Sequence, residues 1–219
     1  MATNAHKSEA EILEQYRVAL ENAKVQPEIK AELEKVGYDS LKIDEGNAFH
    51  ATARTAFDEN KKEDDETTQA SMTFKAEKEK LGDTYTQHRK RAKVQFAKDP
   101  EVLSRLALDG AMPAAYMTWI ETIRKFYTTL NEDAALLQKL ARFKVTAEDV
   151  TAGLVQITVV EKARAEYLRE SGESQAATET KDTAFAQLDE WMGEFYAVAR
   201  IALEDKPQLL EVLGKTIKR

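Results

Sequence analysis

The chain contains no cysteine, so it has no disulfide staple, no reactive thiol and no thiolate metal site. Glycine and proline are also scarce, at 8 and 4 of 219 residues. That is too few for an all-β protein, which needs a turn about every ten residues. No apolar run approaches the roughly 18 residues that a membrane-spanning helix requires. Met1–Ala10 lacks the basic segment and apolar run of a secretory leader, so a cytoplasmic location is the expectation. Histidine is rare as well, and none of the three has a glutamate three positions before it. Paired Glu-x-x-His motifs of a di-iron bundle are therefore absent. So are the Gly-rich phosphate loop, the nucleophile elbow and the zinc-protease helix. No cofactor and no metal are expected.

What the chain does hold is helix-forming sequence: Ala, Glu, Lys, Leu and Gln dominate. Charged residues make up 32% and the apolar set 42%, a globular balance. The net charge of −7 is spread evenly over both halves and argues against general nucleic-acid binding.

A shift of 107 residues lays the sequence on itself without a gap. Gly46 meets Gly153, Pro100 meets Pro207, Leu33 meets Leu140 and Leu81 meets Leu188. The apolar register follows: Ile12/Trp119, Ile29/Leu136, Ile43/Val150 and Val94/Ile201 keep their character. An internal repeat at this period means two copies of one helical unit. The expected fold is all-α, an antiparallel helical bundle of two tandem pseudo-repeats, residues 1–109 and 110–219, packed together as one pseudo-symmetric unit.

Each copy reads as three longer helices and two short ones. Ser8 with Glu11 has the form of a capping box before the first helix. Asp39, Asp133 and Thr146 are placed as N-caps, and Gly37 as the residue after a short helix, where positive φ costs a glycine little. Thr146 is followed by Asp149 in a near relative of the capping box. The charged stretch Asp58–Glu66, and Ser171–Ser174 in the second copy, read as solvated turns between a third and a fourth helix.

Three groups of residues are candidates for function. The second copy is rich in aromatics, and Trp119, Trp191 and Phe195 could line an apolar ligand pocket between helices. Rings at helical spacing also pack simply as core. Under the shift, His50 falls on Ile157 and His88 on Phe195, so both occupy core-facing positions. A hairpin turning near Thr67 would bring them to one level as a polar pair of unknown role. The run His88–Lys93 is the main basic cluster, and an exposed helical face accounts for it. The leading expectation is a non-enzymatic structural or protein-interaction protein that assembles with itself or another protein. The alternative is a module binding an apolar small molecule in the second repeat.

Overall fold

The computed structural model describes residues 7–215; the N-terminal Met1–His6, part of the segment read above for a leader, lie outside it. The chain is all-helical. In order, the helices are α1 (Glu9–Val25), α2 (Pro27–Lys35), α3 (Ser40–Gln95), α4 (Pro100–Arg105), α5 (Tyr116–Glu132), α6 (Ala134–Ala141), α7 (Ala147–Ala202) and α8 (Leu209–Val212). No helix among the described residues is long and apolar enough to cross a membrane.

The local signals act as their chemistry dictates. Ser8 and Glu11 close a reciprocal capping box at the start of α1. Asp39 accepts from the Lys42 N–H, and Asp133 from the Leu136 N–H. The Thr146 hydroxyl accepts from the Asp149 N–H while the Asp149 carboxylate accepts from the Thr146 N–H. Gly37 takes φ +86° after α2, and the Tyr38 N–H closes that turn on the Leu33 carbonyl. At the corresponding position after α6, Lys144 adopts the left-handed conformation with φ 56°. Pro100 opens α4 as its first residue, where the missing N–H costs nothing.

One expectation fails. The third and fourth helices of each copy are a single helix, and α3 and α7 are 56 residues long apiece. The charged stretch Asp58–Glu66 lies inside α3, and no turn occurs near Thr67. The physical reason is propensity. Between Gly46 and Gly82 α3 contains neither glycine nor proline, and Lys, Glu, Gln and Ala continue a helix readily. An i,i+4 pair, Arg54 to Asp58 at 2.8 Å, supports the exposed surface. Polarity there marks solvent contact, not a break.

The helices pack into two compact units. The first comprises residues 1–64 and 173–219, thus α1, α2, the start of α3, the end of α7, and α8. The second comprises residues 65–172, thus the end of α3, α4, α5, α6 and the start of α7. Each unit has its own core and takes residues from both sides of position 109. The packing boundaries at 64/65 and 172/173 are therefore distinct from the repeat boundary read in the sequence.

Within the first unit, the partners of α3 on α7 climb as α3 descends: Asp64 with Ser174, Asn60 with Thr178, Phe57 with Phe185. Leu13, Leu20, Ile29, Leu33, Met192 and Phe195 form the interior. The second unit centres on Leu81, Tyr85, Ile123, Phe126, Tyr127 and Ile157. Its helices are tied by the same kind of bond at positions 107 residues apart. In the first unit Asn22 on α1 donates to the Val212 carbonyl of α8 at 2.8 Å. In the second, Thr129 on α5 donates to the Arg105 carbonyl of α4 at 3.4 Å.

Candidate functional site

Trp191 and Phe195 stand one turn apart on α7 and face the interior of the first unit. Their rings stack at 5.6 Å with an interplanar angle of 11°. Trp191 is only 5% exposed, and its six-membered ring occupies the space above Gly46. Tyr38 packs against both rings, at 6.0 and 6.1 Å, and donates its hydroxyl to Glu194. Burial and that carboxylate together raise the Tyr38 phenol above its ordinary range.

Beside Trp191 lies an open depression of about 260 Å³ between α3 and α7, lined by Lys42, Glu45, Phe49, Gln187, Glu190, Trp191 and Glu194. Five of these seven are polar or charged, and Lys42 is paired with Glu45 at 2.8 Å. An apolar ligand would meet three carboxylates, an ammonium and an amide at this rim, which is a costly exchange for water.

Trp119 packs against the core of the second unit, whereas Trp191 and Phe195 belong to that of the first. It is partly buried on α5, with the Lys78 ammonium 5.4 Å from its ring and Tyr116 at 6.2 Å. The three aromatics thus belong to two separate cores. Helical spacing gives a residue's face; it does not say which helix packs against that face.

The two histidines are not a pair either. With no turn near Thr67, they lie 38 positions apart on one continuous helix, one in each unit. His50 is partly buried and donates its Nε2–H to the Leu13 carbonyl of α1 at 3.0 Å. His88 is nine-tenths buried, and its Nδ1 shares a 3.0 Å hydrogen bond with the Tyr127 hydroxyl. Burial holds the His88 imidazole below its ordinary value. The Asp149 charge pulls it upward by a smaller amount, and Arg91 adds to the depression. Burial likewise raises the phenols of Tyr127 and Tyr85.

The basic run beginning at His88 serves the backbone. Arg89 donates to the Leu108 and Gly110 carbonyls at 3.3 and 2.8 Å, Lys93 reaches Gly110 at 3.4 Å, and Arg91 donates to Lys144 at 3.1 Å. These carbonyls follow α4 and α6, where chain reversals through Ala107, Gly110 and Lys144 at positive φ leave acceptors free. A sequence signal for this existed, because cations gather where helix ends present unpaired carbonyls. In the first unit Tyr196, 107 positions after Arg89, donates to the Leu213 carbonyl at 3.1 Å. Its phenol is pushed up to about 12, chiefly by burial. Tyr127, the partner that gives His88 its bond, carries no motif and was legible only as a core aromatic.

His50 and His88 are each bonded to another helix, and Arg89, Arg91 and Lys93 to carbonyls that follow helix ends. No protein-family model, no curated protein and no solved structure matches the chain.

Proposed function

We propose that this protein is a non-enzymatic structural or interaction protein, an antiparallel bundle of two tandem helical repeats that assembles with copies of itself. One observation carries the reading. The histidines and arginines singled out in the sequence are committed to internal joints: His50 to a backbone carbonyl, His88 to Tyr127, and Arg89 and Arg91 to helix-end carbonyls. Catalysis needs a polar group free to meet a substrate, and these are occupied.

The repeat is supported by element bounds. α1 and α5 are both 17 residues long and begin 107 positions apart; α3 and α7 are both 56 residues and share that offset. Each compact unit then combines the opening helices of one repeat with the closing helices of the other. Self-assembly is supported by Val94 and Ile201, again 107 apart, which are 66% and 68% exposed on the last turns of α3 and α7. Two like apolar positions provide two like contacts, the requirement for repeated association.

Light scattering on size-separated protein tests the assembly. An oligomer that dissociates on Val94→Asp/Ile201→Asp substitution, with helicity unchanged, is the expected outcome. A monomer at the highest reachable concentration overturns it.

A further inference from the structure

We infer that His88 is an acid-sensitive latch that holds α5 on α3 while its ring is neutral and loosens the second unit when it takes up a proton. The geometry is that of a closed interior. His88 is 6% exposed and Tyr127 fully buried, and their rings meet edge-on at 6.0 Å. Tyr85, nearly one turn earlier on α3, is also buried, and its hydroxyl has no hydrogen-bond partner among the described residues. A charge placed on His88 therefore enters a closed interior, away from water.

The surrounding charges relieve it only in part. From α5 the facing group is Tyr127, whose phenol stays protonated. From α7 it is Asp149, whose carboxylate favours the cation by less than burial opposes it. On α3 itself Arg91 opposes a second cation, and Arg89 adds another positive charge one residue away.

The first unit is built differently at this place. The residue 107 positions after His88 is Phe195, buried and stacked on Trp191, with nothing to titrate. His50 in that unit is partly buried and donates its Nε2–H to the Leu13 carbonyl. Protonation of His88 therefore acts on the second unit, at a position where the first has an apolar ring.

The sign follows from linkage. In the folded unit His88 binds its proton less readily than at its ordinary value of 6.5, to which unfolding returns it. The unfolded chain then carries more protons, and the second unit loses stability as pH falls below that value. The limit for one proton is about tenfold in the folding equilibrium per pH unit.

Amide hydrogen exchange on the unaltered chain at pH 7.5 and pH 5.5, corrected for the intrinsic pH dependence of exchange, reads this directly. Protection in α5 and α6 is expected to fall several-fold on acidification while α1 and α2 hold. In His88→Gln, which keeps a hydrogen-bonding group toward Tyr127 but cannot titrate, the fall in α5 and α6 should vanish. An equal fall in both helix pairs of the unaltered chain overturns the inference whether or not that variant folds. So does unchanged protection throughout, or a fall in α5 and α6 that persists in His88→Gln.

Discussion

The indole of Trp191 rests on Gly46: a Cβ built on that glycine would stand 2.4 Å from the ring. In the second unit Tyr127 rests on Gly153 in the same way, with a built Cβ 2.6 Å from the phenol ring. The two glycines are 107 positions apart, but the rings come from different helices. In the first unit α7 supplies the ring; in the second, α5 does. One requirement, a ring over a bare helix backbone, is met by a different helix in each unit.

Gly46→Ala should therefore destabilise the protein, although alanine is the better helix former. Propensity favours alanine by about 1 kcal/mol, and overpacking against a buried ring costs about 1–3 kcal/mol. A net loss is expected in urea unfolding, and Gly153→Ala should behave alike against Tyr127. Gly172, inside α7, meets nothing within 4 Å. Gly172→Ala should stabilise by about 0.5–1 kcal/mol. Equal signs at positions 46 and 172 would contradict the packing described for Trp191.

Asn22 and Thr129 hold the short helices α8 and α4 through side-chain bonds of unequal length, 2.8 and 3.4 Å. Asn22→Ala should cost about 1 kcal/mol, since it leaves the Val212 carbonyl without that donor. Thr129→Ala should cost less. Chemical denaturation of the two variants side by side checks the order.

Arg89 fixes the segment after α4 by bonds to Leu108 and Gly110. Arg89→Met keeps much of the stem and removes the donors. Faster amide exchange in residues 106–112, with α1 and α2 unchanged, is the expected result. Unaltered exchange there would show that the turn stands without the guanidinium.

The Thr146 capping box starts α7 at an exposed helix end. Thr146→Ala should lower stability by about 1 kcal/mol, while Thr146→Ser should retain most of it. Thermal unfolding followed by circular dichroism distinguishes the two.

Trp191, deeply buried, should emit at shorter wavelength than the partly exposed Trp119. Comparing Trp119→Phe with Trp191→Phe by fluorescence and acrylamide quenching separates them, and the Trp119→Phe chain should be the less quenched.

The sequence by itself determined the helical class, the caps at Ser8, Asp39, Asp133 and Thr146, and the reversal at Gly37. The caps and the reversal each depend on residues within five positions of one another, so local chemistry suffices. It also held the continuity of α3, in a stretch free of glycine and proline, although the density of charge in Asp58–Glu66 suggested a turn. Tertiary structure alone decided that Trp119 and Trp191 join different cores, that His50 meets the Leu13 carbonyl, and that Tyr127 meets His88. Periodicity specifies the face that a side chain occupies. Which helix covers that face depends on how whole helices share buried area and satisfy polar groups, and no short window of sequence contains that information.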